Sequence, residues 1–168
     1  MNILKKTLEV FLCIILILFV IFFALSFKDD PKNISYGVTF SKPYSDYLGL
    51  PSREVFTSIL DDLKVRKFRL VAYWSEVEKI KDEFNFTDID FEVREAQKRN
   101  ADVILAVGRR LPRWPECHVP AWAKNMSWDD QKKEILAYIT ETVKHFQTYE
   151  NIKYWQVENE PYLSVFAK

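Results

Sequence analysis

Cysteine and histidine are scarce in this sequence of 168 residues, with two of each, and net charge is absent: 24 acidic residues balance 24 basic ones. Each shortage excludes something. Cys13 lies in a long apolar run and Cys117 stands alone in the remainder, so no internal disulfide staple is expected. His118 and His145 are far apart, and no Cys/His group has zinc-like spacing, so neither a metal site nor a cofactor is expected. A zero balance lacks the basic surplus that phosphate neutralisation demands, which argues against nucleic acid as partner. Aromatic residues, at 15%, are plentiful; they fill cores, and they are also common platforms for sugar faces.

Leu8 to Phe27 is a nearly unbroken apolar run, preceded by Lys5 and Lys6 and followed by Lys28, Asp29 and Asp30. About twenty apolar residues cross a bilayer as a helix, and paired lysines favour a cytoplasmic N-terminus. Residues 1–28 are therefore expected to be a signal anchor, 29–33 a linker, and 34–168 a domain outside the cytoplasm. A cleaved signal peptide, which would give a secreted product, is the alternative, because Ala24-Leu25-Ser26 has a small-x-small pattern.

The domain reads as alternating strands and helices. Strands are expected at 34–40, 67–73, 102–107 and 152–157, each rich in β-branched, aromatic or aliphatic residues. Between them, helical stripes begin after Ser52, after Thr87 or Asp88, and after Ser127, residue types that cap helices. Residues 41–51, 74–86 and 108–123 read as loops, the first and last rich in proline. Hydrophobic strands in β-α-β order call for a parallel sheet with right-handed crossovers. Long loops at the strand C-terminal ends and short returns are the asymmetry of a barrel with its site on that face. Four strands and three helices make the N-terminal half of a (β/α)8 TIM barrel, since the whole needs about 250 residues.

The fourth strand runs into Trp155-Gln156-Val157-Glu158-Asn159-Glu160-Pro161, a polar cluster stopped by proline. A carboxylate at a strand end beside an amide and aromatic rings is a candidate acid/base; its alternative is a glutamate in a surface loop. Other motifs accompany it. Gly-Val-Thr-Phe ends the first strand at 37–40, Phe68-Arg69-Leu70 lies on the second, and Tyr73-Trp74-Ser75-Glu76 follows. Gly108-Arg109-Arg110-Leu111-Pro112-Arg113-Trp114-Pro115 leaves the third.

Over residues 34–162 this succession resembles the first half of the clan A retaining glycoside hydrolases, barrel enzymes that include cellulases and β-glycosidases. The resemblance implies that Glu160 is the general acid/base, that Asn159 bonds the sugar 2-hydroxyl, and that Arg69 supports the nucleophile electrostatically. Retaining hydrolysis pairs a proton-donating carboxylic acid with a second carboxylate about 5–5.5 Å away. The family's nucleophile is a glutamate on the seventh strand, and no carboxylate here matches it by motif, so the chain by itself is expected to be inactive.

Around these residues, Tyr73 shares strand parity with Arg69 and is expected to border the site. Trp74, Trp114 and Trp122 lie on site-side loops, where they either stack on sugar or pack the loops. His118 is a candidate for substrate contact, and one of Arg109 and Arg110 is expected to reach the site. Glu158 and Glu160 share parity, so presenting Asn159 and Glu160 together requires the strand to break or bulge. Asp88 and Asp90 read as capping and dipole partners at a helix start, and Asn33, Asn85 and Asn125 begin glycosylation-type tripeptides. The leading expectation is a membrane-anchored β-glycoside hydrolase acting on carbohydrate. A non-catalytic half-barrel that binds carbohydrate or a complementary C-terminal half-barrel is the rival, and other barrel chemistry is a third reading.

Overall fold

A computed structural model describes residues 2–26 and 34–162. It divides into two compact units, with the boundary after Ser35. The first contains helix α1 (Asn2–Ser26), whose stretch Lys5–Phe23 is long and apolar enough to cross a membrane. The expected linker, residues 29–33, and Asn33 lie outside the described residues.

The second unit is built on four parallel strands: β1 (Val38–Thr39), β2 (Lys67–Val71), β3 (Asp102–Val107) and β4 (Ile152–Val157). They lie side by side in chain order. Three long crossover helices, α3 (Ser52–Asp61), α5 (Thr87–Lys98) and α6 (Trp128–Phe146), connect them. Sequential order and helical crossovers make this part of an α/β barrel.

Side-chain alternation sorts each strand into two faces. Phe68, Leu70, Val103, Leu105 and Val107 point to the helix side and pack with Phe56 and Leu60 of α3, Val93 and Ala96 of α5, and Ile135 and Tyr138 of α6 in one buried core. Full burial of each such side chain stabilises by about 1.5–3 kcal/mol. The opposite, inner face carries Thr39, Lys67, Arg69, Asp102, Ile104 and Tyr154, which line an open cavity of about 690 Å³. Val71 and Tyr73 are buried on that side with Ala106 and Leu111. The inner face is therefore open, because the four strands curve around it without closing over it.

Four local expectations are corrected. Residues 41–51 are not all loop: Lys42–Tyr47 form helix α2, since Pro43 in the first turn suits a helix start that has no N–H to satisfy. Likewise Trp74–Val77 form the short helix α4 at the head of the expected 74–86 loop. The first strand contracts from 34–40 to two residues, because β2, its partner, begins pairing at Phe68. Ser52 is the first helical residue of α3 and Pro51 occupies its N-cap position. Ser127 does cap α6, its hydroxyl accepting from the Asp130 N–H at 3.2 Å.

β4 carries a register shift. Val103 pairs with Ile152 but Ile104 pairs with Tyr154, leaving Lys153 as an extra residue. Above that bulge Tyr154 and Gln156 face inward and Trp155 turns to the core.

Candidate active site

The polar C-terminal rim is held by the turns that end β3 and β4. After Val107 the chain turns at Gly108 with φ of +134°, and after Val157 it turns at Glu158 with φ of +63° and again at Glu160 with φ of +50°. These left-handed residues break strand alternation, which is how the parity problem of Glu158, Asn159 and Glu160 is resolved. The Glu158 carboxylate accepts from the Arg109 N–H at 2.8 Å and the Arg110 N–H at 2.6 Å. In return the Asn159 N–H donates to the Arg110 carbonyl at 2.7 Å, and Arg110 Nη1 donates to the Glu160 carbonyl at 3.2 Å. The two turns are thus tied reciprocally, and Glu158 is a clamp on the backbone. The Glu160 side chain is exposed at the end of β4.

A path of side-chain hydrogen bonds crosses the inner face to this rim. Arg69 Nε donates to Thr39 Oγ1 at 3.1 Å, and its Nη1 reaches Gln156 Oε1 at 3.4 Å. Gln156 Nε2 donates to the Glu158 carbonyl at 3.1 Å and lies 3.4 Å from Asn159 Oδ1. Asn159 Nδ2 then reaches Glu116 Oε1 at 3.4 Å, and Glu116 pairs with buried Arg110 at 3.0 Å. Three of these contacts are long, so the path is loosely drawn and its ends are free to shorten when a ligand arrives. Arg69 and Asn159, predicted from sequence, are brought together by Gln156, which was not. Glu116 was not predicted either.

Tyr73 and His118 also meet, their rings 4.3 Å apart. The Tyr73 hydroxyl donates to the Pro112 carbonyl at 2.8 Å and shares a hydrogen bond with Ser41 at 2.9 Å. Burial raises the Tyr73 pKa and lowers that of His118, so both are held neutral. His118 Nε2 faces the Arg113 carbonyl at 3.2 Å, which makes that nitrogen the donor and Nδ1 the acceptor.

The structure removes one candidate, Trp74, from the rim. Trp74 is 0% exposed in the helix-side core and donates to Glu78 Oε2 at 2.7 Å, so sugar has no access to it. Trp122 packs edge-on against Trp74 and donates to the Glu78 carbonyl at 2.8 Å. Both brace Glu78, a buried carboxylate that also accepts from the Asp82 N–H. Trp114, in contrast, is exposed on the loop after β3. Of the paired arginines, Arg110 is buried in the clamp and Arg109 is half-buried over the Trp128 ring. Asp88 and Asp90 sit in the first turn of α5, where Asp88 faces Arg53 and Asp90 faces His145. No group of three His, Cys, Asp or Glu side chains suited to a metal occurs among the described residues.

A four-stranded parallel half-barrel with an arginine on its second strand and Asn-Glu-Pro closing its fourth has the build of the clan A glycoside hydrolases. The profile of Glycosyl hydrolase family 10 matches residues 71–164, more than half of the chain, and the chain belongs to that family. No curated protein matches the sequence. Among solved structures, a GH5_18 protein from Streptomyces cattleya, in complex with GlcNAc, aligns with a TM-score of 0.57 at 15% identity. It covers 75% of this chain and 33% of its own. The exo-beta-1,4-mannosidase Op5Man5 from Opitutaceae bacterium strain TAV5 aligns with a TM-score of 0.57 at 17% identity, covering 76% and 25% respectively. At such identities the likeness is one of fold, and this chain spans a third or less of the structures it matches.

Proposed function

We infer that this chain supplies the acid/base half of a retaining β-glycoside hydrolase. What carries the reading is the path from Arg69 through Gln156 to Asn159, which ends one residue short of Glu160 in a chain of this family. In the proposed reaction Glu160 passes its proton to the glycosidic oxygen as a second carboxylate attacks the anomeric carbon. Water, deprotonated by Glu160, then releases the sugar with net retention. Asn159 turns its Nδ2 donor from Glu116 to the sugar 2-hydroxyl. Arg69 lends its positive charge to the nucleophile, and Tyr73 and His118 line the neighbouring wall. No carboxylate of residues 34–162 has been assigned the nucleophile's part, so the second carboxylate is proposed to come from a complementary C-terminal half-barrel. Residues 1–168 alone are then inactive.

Helix α1 is proposed to anchor the chain, with 29–33 as linker and 34–168 on the extracytoplasmic side; cleavage after the small-x-small pattern would instead release it. The alternative function is a non-catalytic, membrane-anchored half-barrel that binds carbohydrate or a subunit. It is favoured by the open inner face, where Tyr154 stays exposed.

The test is turnover of aryl β-glycosides by the chain alone and by a completed barrel containing it. The expected result is silence from the first and turnover from the second that Glu160→Gln lowers by about 10²–10⁴-fold. Turnover indifferent to Glu160, or none from a folded, completed barrel, would overturn the enzymatic reading.

A further inference from the structure

Beside the Glu158 clamp lies a second cavity of about 600 Å³, the size of a ligand pocket. Its walls include Arg109, Arg110, Lys124, Trp128 and Glu158. The charges on these walls do not cancel. Arg110 is paired with Glu116, and the Glu158 carboxylate, held by two backbone N–H groups, is the one negative charge on the wall. Nearby, Asp129 and Asp130 at the start of α6 face Lys132 and Lys133. That leaves Arg109 and Lys124, neither of which has a carboxylate partner among the described residues. Arg109 goes further: its Nε is buried and has no acceptor there, an arrangement that costs free energy unless a ligand supplies one.

The third component is Trp128, 57% exposed on the same wall, with the Arg109 guanidinium and the Lys132 ammonium each over its ring, 5.6 Å from the centre. The exposed remainder of the indole, beside Arg109 and Lys124, suits a ring with apolar C–H groups and an anionic substituent. A bare inorganic anion has no use for the indole, and a neutral sugar leaves the cations unanswered. The geometry points to a subsite for an acidic sugar residue, bearing a carboxylate or a sulfate, next to the strand end that carries Glu160. The inference rests on the glycoside hydrolase reading and narrows its substrate class to charged polysaccharide.

Calorimetric titration of the full chain in detergent tests it, using an oligosaccharide that contains glucuronic acid, its carboxyl-reduced neutral counterpart, a sulfated analogue, and inorganic phosphate. The uronate oligosaccharide is expected to bind at least about tenfold more tightly than the neutral one, since a charge-assisted bond is at stake. Its affinity should fall with added salt. Arg109→Gln and Lys124→Gln should each remove most of that preference; Lys124 is exposed, so its variant leaves the fold intact. The sulfated analogue shows whether the subsite discriminates carboxylate from sulfate, and binding of either acidic sugar supports it. Equal binding of the neutral sugar, binding untouched by both variants, or phosphate binding as tightly as the uronate would each overturn the subsite. None of these outcomes bears on Glu160, whose role is decided by turnover of the completed barrel.

Discussion

The carboxylate of Glu158 occupies the space that a side chain on residue 108 would need: a Cβ at Gly108 would lie 2.6 Å from Glu158 Oε1. Gly108 also adopts φ of +134°, which L side chains rarely take. Gly108→Ala is therefore expected to destabilise the domain by about 2 kcal/mol or more. Glu158→Ala, which strips the Arg109 and Arg110 N–H groups of their acceptor, should cost about 1–3 kcal/mol. The double variant should cost less than the sum, because removing the carboxylate removes the clash. Chemical denaturation of all three measures the coupling, and strict additivity would sink the clamp.

Gln156 joins Arg69 to Asn159, and the join is polar on both sides. Gln156→Leu keeps its bulk and breaks both contacts. In a completed, active barrel this variant should lose about 1–2 kcal/mol of transition-state stabilisation, roughly 5–30-fold in kcat/KM. Unchanged kinetics would show that Arg69 and Asn159 hold their places without it.

Trp74 and Trp128 are expected to respond in opposite ways. Trp74→Phe empties part of the core and deprives Glu78 of a donor, so it should cost about 2–4 kcal/mol of stability. Trp128→Ala, on an exposed ring, should change stability by about 0.5 kcal/mol or less while weakening acidic oligosaccharides. Denaturation midpoints and sugar affinities, measured on the same two variants, separate the roles.

Glu92 of α5 is a buried carboxyl in the helix layer whose pKa is pushed up to about 8, chiefly by burial, with Asp88 adding to the shift and Lys42 opposing it. A folded-state pKa above the unfolded value means the folded chain holds the proton more tightly. Stability should then fall as pH rises from about 4.5 towards 8, by up to roughly tenfold in the folded-to-unfolded ratio per unit. Glu92→Gln should flatten that slope. Melting curves across this range, followed by tryptophan fluorescence, check it; parallel slopes in the two proteins would refute it.

The strands at 102–107 and 152–157 could be read from sequence residue for residue, because short apolar runs between turn residues admit few alternatives. The capping of α6 by Ser127 was legible for the same local reason. Helix α2 was not: Lys42-Pro43 looks like a loop until proline is recognised as a first-turn residue. At the candidate site, Arg69, Asn159 and Glu160 stood out through their motif. Gln156 and Glu116 did not, because their part depends on which strands lie side by side and on two left-handed turns. Trp74 misled for a related reason. Its place in the sequence, just past a strand end, says nothing about which layer its ring enters.

The extra residue Lys153 in β4 acts as a phase shifter between two halves of one strand. Upstream of it, Ile152 keeps step with Val103 in the apolar layer; downstream, Tyr154 and Gln156 run in step with Ile104 and Ala106 on the opposite surface. Losing Lys153 alone would restore plain alternation and leave every later side chain on its present side. Adding or removing a residue between Tyr154 and Val157 would instead rotate Gln156 out of reach of Arg69. The strand is therefore tolerant of length changes at its foot and intolerant of them near its polar end.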